Sequence, residues 1–269
     1  MDIYSLAATF MLTGVVAGIL AGFLGIGGGL VVVPLLAFAL PYAGVAEQHV
    51  MTMAVGTSLA TIIFTAISSV HAHHWRENIV WPAVYSLFPG ILLGSMLGAA
   101  MGSQLEQFWM MTIFGCFAVC MALYTFIGDR WIKPVWDYNQ SRSWLSLVGF
   151  ILSAISAIVG IGGGTLLGPW LIWLGLEPKK SIGTSAACGL FIAIFGSMGY
   201  LITGSSATDL PEYSIGYVYL PALLGIIATS VLTAPIGAKM ASYFAPRVLR
   251  IGLGIALLLA AGKMFISIY

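Results

Sequence analysis

The chain has 269 residues, of which 60% are hydrophobic and only 7% charged, with a formal net charge of +1. A soluble domain carries roughly 25% charged residues, so this composition excludes a water-soluble globule and places the chain in lipid as an integral membrane protein. The charge balance gives no sign of a nucleic-acid partner, and none is expected.

Hydrophobicity marks the segments in chain order. The first runs from Ile3 to Leu40, followed by Val50 to Val70, Ile79 to Met101 and Phe108 to Ile127. A polar linker, GDRWIKPVWDYNQSRS, covers Gly128 to Ser143. The second set is Trp144 to Leu176, Ile182 to Thr203, Ile215 to Met240 and Val248 to Ile268. Trp75, Trp81, Trp131, Trp136, Trp144, Tyr213 and Tyr243 sit near segment ends, where amphipathic rings favour the headgroup region. Asp2 stands where a secretory leader would carry basic residues, so no leader is expected. Cys116, Cys120 and Cys188 lie in apolar runs; they read as packing thiols, with a redox role as the alternative.

The two sets resemble each other. GIGGG at Gly25 to Gly29 recurs at Gly160 to Gly164, and Pro34 and Pro169 keep the same spacing. GTS at Gly56 to Ser58 recurs at Gly183 to Ser185, at a slightly shorter spacing. Gly98 and Gly237 are as far apart as Gly115 and Gly254. The pattern implies an internal duplication: repeats over 1–127 and 144–269, joined by a cytoplasmic linker over 128–143.

The first segment of each repeat is too long for one crossing. As a helix, Ile3 to Leu40 would span about 57 Å against a hydrocarbon core of about 30 Å. Folding each long segment into a hairpin at its glycines resolves the length. It also sorts the basic residues. Arg76, Arg130, Lys133, Arg142, Lys179, Lys180, Lys239, Arg247 and Arg250 then fall on one side and only Lys263 on the other, a strong positive-inside signal. Each repeat becomes one hairpin plus three spans, so the second is inverted relative to the first and both termini lie outside the cytoplasm. The expected fold is therefore an all-α polytopic membrane protein of two inverted repeats, each a glycine-tipped re-entrant hairpin plus three transmembrane helices. Inverted repeats are a recurring transporter architecture, with the binding site at the midplane between them.

The returning arm Leu30 to Leu40 is short, roughly 16 Å, so its tip lies deep. Irregular backbone at that depth must face protein or a wet cavity. Successive glycines let amide hydrogens converge on one point, and a new helix presents its positive end there. The expectation is an anion site built from Gly27, Gly28 and Gly29 with Gly162, Gly163 and Gly164, to which Thr57, Ser58, Thr184 and Ser185 add hydroxyl donors. The alternative is that these glycines serve only close helix packing. A nucleotide-binding reading fails, because Leu30 stands where G-x-G-x-x-G needs its third glycine.

HAHHWRE, from His71 to Glu77, falls in the first cytoplasmic loop. His71 and His74, with His73 adjacent, read as interfacial histidines, as coupling or gating groups with Arg76, or as metal ligands. Lys179 and Lys180 are either a positive-inside anchor or a funnel for anions. No Asp, Glu, Lys or Arg occupies the middle third of any segment, so a buried carboxylate relay is missing.

The repeated GIGGG…P, the twin GTS, the HHWRENIVW…PG…G…G stretch and the closing APIGAKMA…RVLR resemble the TauE/SafE family of sulfite and organosulfonate exporters, over nearly the whole chain. The resemblance implies a prokaryotic inner-membrane permease moving sulfur oxyanions or sulfonates outward, with its glycine-rich segments at Gly25 to Gly29 and Gly160 to Gly164. The expected protein is a carrier and not an enzyme. It needs no cofactor, its partners are the anion and the bilayer, and a homodimer is compatible with the sequence. Other cargo, a different small anion or a metal ion, and a histidine-centred membrane metalloprotein are the rival readings. Cysteine substituted at Ser141 should react with an impermeant maleimide only from the cytoplasmic face, and at Ser205 only from the outside. Labelling of both from one face would break the inverted topology.

Overall fold

The computed structural model describes residues 3–24, 28–127, 141–241 and 246–266. Gly25, Gly27 and most of the linker lie outside them. The described chain is helical almost throughout: α1 (Ile3–Leu24), α2 (Gly29–Ala39), α3 (Glu47–Trp75), α4 (Trp81–Gln104), α5 (Gln107–Ile127), α6 (Arg142–Val159), α7 (Leu167–Trp173), α8 (Pro178–Gly204), α9 (Leu220–Ala241) and α10 (Pro246–Ile266). Among the described residues six helices, α3 to α6, α8 and α9, are long and apolar enough to cross a membrane. The protein is an all-α, multi-pass membrane protein.

Local chemistry explains the boundaries. Both overlong segments break at their glycines. Gly160 turns left-handed at φ 80°, and its N–H and that of Ile161 both reach the Ser156 carbonyl, closing α6. Gly28 caps α2 at φ 76°, its carbonyl accepting from Val31 and Val32. Ser141 caps α6 by accepting the Trp144 N–H at 3.3 Å. Pro82, Pro178 and Pro221 stand in the first turns of α4, α8 and α9, where a missing N–H costs nothing. One expected helix start moves. Ile215 lies not in a helix but in a small antiparallel ribbon, Ser214–Ile215 against Val218–Tyr219, because Gly216 turns at φ 52° and delays α9 to Leu220.

Contacts fix the helix directions. Gly90, Gly94 and Gly98 of α4 meet Ser146, Phe150 and Ala154 of α6 in the same order, so the two run parallel. Phe88 packs on Phe191, and Ala99 faces Gly199, so α8 runs with them. Gly163 faces Gly189 while Gly168 lies near Ser185, so α7 runs against α8 and hence against α6. The second long segment thus doubles back at its glycines. Gly56 meets Tyr200 and Leu59 meets Gly196, so α3 and α8 run antiparallel.

Packing divides the bundle in an order the sequence does not follow. One apolar core joins α4 with α6, α7 and α8, through Leu87, Ile91, Leu145, Leu167, Leu171 and Ile192. The larger core joins α1, α2 and α3 with α9, and the α5–α10 pair, through Phe10, Val33, Leu36, Met53, Phe114 and Ile226, and it continues into the first body through Ala99, Val159, Ala193 and Tyr200. The fourth helix of the first half therefore sits in the body built on α6 to α8, and α9 in the body built on α1 to α3. Outside, Leu12, Leu93, Leu224, Leu232 and Leu259 are exposed as a lipid-facing surface requires.

The α4–α6 seam depends on absent side chains. A Cβ at Gly94 would overlap the Phe150 carbonyl and the Ser153 hydroxyl. Gly94→Val should therefore cost at least the ~1–3 kcal/mol typical of overpacking, seen as a lower unfolding temperature in detergent. Gly252→Ala, with nothing within 4 Å of its Cβ, should leave that temperature unchanged or raise it.

Candidate functional site

The two breaks meet inside the bundle. A Cβ on Gly29 would lie 2.7 Å from the Gly160 carbonyl oxygen, 2.8 Å from Ile62 Cδ1 and 3.1 Å from Ile161 Cα. Gly160 in turn abuts Val33 of α2 and Val55 of α3. Ile62 is near the midpoint of α3, and Gly189, which Gly163 touches, is near the midpoint of α8. The breaks therefore lie about halfway along the two longest helices, at the junction of the two packed bodies. Gly29, Gly162 and Gly163 are buried, and Gly28 and Gly164 partly so. Gly27 lies outside the described residues.

Opposed helix ends, the start of α2 and the end of α6, meet at this junction. The α2 helix begins here, so its first-turn amides and positive end point inward. Several acceptors at the α6 end are already engaged. The Ser156 carbonyl takes two amides, Thr165 Oγ1 donates to the Gly162 carbonyl at 3.2 Å, and Ser58 Oγ donates to the Gly160 carbonyl at 2.9 Å. Ser58 thus does at the tip what a water would otherwise do: it quiets a carbonyl freed by the break. The Ser156 hydroxyl, fully buried in the last turn of α6, has no hydrogen-bond partner among the described residues. It is a polar group waiting for one at this end of α6, and sequence reasoning missed it, because its counterpart in the first repeat is Ala21.

The histidines and basic residues stand elsewhere, at the far end of α3 and the start of α8. His71 Nε2 accepts from Trp75 Nε1 at 3.1 Å, and His74 Nδ1 accepts from Trp81 Nε1 at 3.4 Å. Indole N–H is a donor only, so each imidazole presents a lone pair to it. Among the described residues no three His, Cys, Asp or Glu side chains group as a metal would require. Arg76 caps α3, and Lys179 and Lys180 are exposed, Lys180 lying 3.9 Å from Glu177. His71 lies well past Ser58, roughly 20 Å along α3, so none of these groups reaches the glycine junction.

The GTS elements prove to be clasps. A Cβ on Gly56 would lie 2.7 Å from the Tyr217 carbonyl, and Thr57 Oγ1 accepts the Tyr219 N–H at 3.0 Å. A Cβ on Gly183 would overlap the Asn78 carbonyl, and Thr184 Oγ1 accepts the Val80 N–H at 3.0 Å. Each clasped strand begins on a left-handed residue, Gly216 at φ 52° or Glu77 at φ 55°, and leads straight into α9 or α4. Asn78 pairs with Tyr217, and Val80 with Tyr219, at the same spacing that relates Gly98 to Gly237. Thr57, Ser58 and Thr184 are fully buried and Ser185 nearly so; Ser185 Oγ donates to the Ile182 carbonyl of its own helix. The clasps thus seat α9 against α3 and α4 against α8. Thr184→Val should strand the Val80 amide at a cost of ~1–3 kcal/mol, lowering the unfolding temperature, and Thr184→Ser should restore most of it. Thr57→Val should act equally through Tyr219 and add to Thr184→Val, the sites being far apart.

Comparison with known proteins agrees with a chain built throughout for the membrane. The Sulfite exporter TauE/SafE family profile matches residues 10–264. A "Probable membrane transporter protein" of Haemophilus influenzae is 39% identical over 259 residues, covering 96% of this chain and 97% of its own. Another, of Methanocaldococcus jannaschii, is 29% identical over 250 residues, covering 90% and 88%. In Arabidopsis thaliana, "Sulfite exporter TauE/SafE family protein 5" is 29% identical over 99 residues, 37% of this chain and 22% of its own. No solved structure matches significantly. With the profile spanning nearly every described helix, the chain belongs to the TauE/SafE sulfite exporter family of membrane transporters.

Proposed function

We propose that the protein carries a small sulfur-containing anion, a sulfite-like oxyanion or an organosulfonate, across a prokaryotic inner membrane by alternating access, without chemical conversion. The observation that supports this best is the meeting of the two glycine breaks, Gly29 against Gly160, at the junction of the two cores. A neutral cradle of amide hydrogens suits a polyatomic anion, which spreads its charge over several oxygens and accepts from several directions. Gly28, Gly29, Gly162, Gly163 and Gly164 supply the backbone. Ser156 offers its hydroxyl, while Ser58 removes the acceptor that would repel the anion. A cation as cargo finds the Ser156, Gly160 and Gly162 carbonyls on the α6 side already taken. The sulfur class is supported by the family description.

The two repeats are inverted in this reading, a view favoured by the antiparallel run of α3 and α8, and both termini face away from the cytoplasm. His71, His74, Arg76, Lys179 and Lys180 then lie at the cytoplasmic mouth, where the cations gather anions and the histidines gate. The units that rock are not the sequence halves but the two packed bodies, one holding α4 from the first half and the other α9 and α10 from the second.

Gly162→Ala tests the cradle, because its Cβ finds only Ile62 Cγ2, at 3.5 Å, and fits without displacing backbone. In proteoliposomes it should lower sulfite flux by about tenfold, the worth of one weakened charge-assisted hydrogen bond, at an unchanged unfolding temperature. Unchanged flux would remove the backbone site. Acetate competing as well as sulfite or a short sulfonate would remove the sulfur class and leave an anion carrier.

A further inference from the structure

A cavity of about 430 Å³ lies away from the glycine junction, at the end of the bundle where α3 begins. Its walls are mostly apolar, from Pro34, Phe38, Val50 and Met264 among others, and two full charges line it: Glu47 of α3 and Lys263 of α10. Among the described residues neither forms a salt bridge, with the other or with any third group. The Lys263 ammonium instead rests 3.4 Å from the centre of the Phe38 ring. Gln107 lines the same cavity. Its Oε1 accepts the Met51 N–H at 3.1 Å, so its amide nitrogen is the end left to donate.

The charges describe the ligand. Lys263 and the Gln107 amide suit an oxyanion, but Glu47 repels a ligand that is only anionic. A molecule carrying both an oxyanion and an ammonium satisfies both. A primary ammonium gives Glu47 N–H donors that a quaternary one lacks. Phe38, whose ring could otherwise hold a quaternary group, already has Lys263 over its face. The source of the ligand follows from where the cavity opens. On α10, Ile255, Leu259 and Ile266 are 50%, 70% and 78% exposed, and Lys263 continues that lipid-facing stripe at helical spacing. Phe38 and Tyr42 at the rim are also about half exposed. A cavity with apolar walls that opens beside a lipid-facing stripe, with its charges at a helix end, is filled from the bilayer.

We propose that this cavity is a binding site for one phospholipid with a primary-ammonium headgroup, of the phosphatidylethanolamine type. Its phosphate meets Lys263 and Gln107, its ammonium meets Glu47, and an acyl chain lies along Pro34, Val50 and Met264. The lipid stands between α10 and α2, whose other end is the first glycine tip, so its presence sets how freely α2 moves. Only the leaflet depends on the orientation proposed above; the site does not.

Native mass spectrometry of the delipidated full chain tests it, with phosphatidylethanolamine, phosphatidylcholine and phosphatidylglycerol as probes. The wild type should hold one phosphatidylethanolamine about tenfold more tightly than either other lipid. Lys263→Gln should weaken all three by about tenfold. Glu47→Gln should abolish the preference by raising the affinity for phosphatidylglycerol. Glu106→Gln, beside the cavity but not in its wall, should change nothing. All three positions are exposed, so an unchanged unfolding temperature is expected and checks the fold. Equal binding of the three lipids, or no effect of Lys263→Gln, overturns the site. Displacement of the lipid by water-soluble phosphoethanolamine at similar concentration also overturns it, by making the ligand a solute.

Discussion

A backbone broken inside lipid must find every hydrogen-bond partner within the protein. That constraint governs the whole design. The start of α2 at Gly28 and Gly29 and the glycine-rich end of α6 lie about halfway along α3 and α8, and hydroxyls nearby answer polar groups released there. Gly160 closes α6 by turning left-handed, a conformation that would cost another residue about 1–2 kcal/mol. The Gly160 carbonyl goes to Ser58, from the other half of the sequence, and the Gly162 carbonyl goes to Thr165. With these acceptors occupied, the first-turn amides of α2 are left to bind a ligand. A binding preference thus follows from an accounting requirement: the same hydroxyls that make the breaks tolerable leave behind a site for negative charge.

Glycine serves two distinct ends in this fold. Along the α4–α6 and α1–α9 seams it lets backbones touch, as Gly14 and Gly18 do against Ile226 and Ser230. Membrane helices gain little from hiding apolar surface from lipid, so close packing of this kind carries much of their association. At Gly28 and Gly160 the need is conformational instead. Gly56 and Gly183 belong to the first kind although they sit beside hydroxyls, since what they admit is a clasped carbonyl.

How far the sequence could be read depends on which of these interactions leaves a mark on residue types. Length and glycine placement were enough to show that Trp144 to Leu176 could not be one rod, and the repeated GIGGG…P paired the breaks. The clasps were not legible. Thr57 and Thr184 hold main-chain amides far away in the chain, those of Tyr219 and Val80, and a main-chain amide has no letter in the sequence. Their hydroxyls were therefore assigned to the solute, when each has a protein partner. Ser156 was missed for a related reason: the duplication does not repeat it, and only its burial without a partner draws notice. The exchange of α4 and α9 between the bodies was equally hidden, since hydropathy marks a helix without saying which neighbour it chooses.

That exchange bears on how such a chain could move. Had each sequence half packed on itself, a rocking motion would need only the linker to bend. Here α4 is fixed to α8 by Thr184 and Val80, and α9 to α3 by Thr57 and Tyr219, so each body is laced shut by a strand from the other half. The connections that join the bodies then run between α3 and α4, α4 and α5, α5 and α6, and α8 and α9. The clasped residues lie within those connections, and close to them the backbone already departs from ordinary geometry, at Glu77, Asp209 and Tyr213. Between the bodies lie Ser58 on Gly160, Gly29 on Gly160, Leu59 on Gly196, the Tyr217 N–H donating to the Tyr200 carbonyl at 3.3 Å, and the fully buried Tyr200 ring, which the larger core takes in. A two-position device built this way must re-seat a packed seam, and the small residues along it, Gly29, Gly160 and Gly196, keep that seam smooth. The glycine junction lies on that seam.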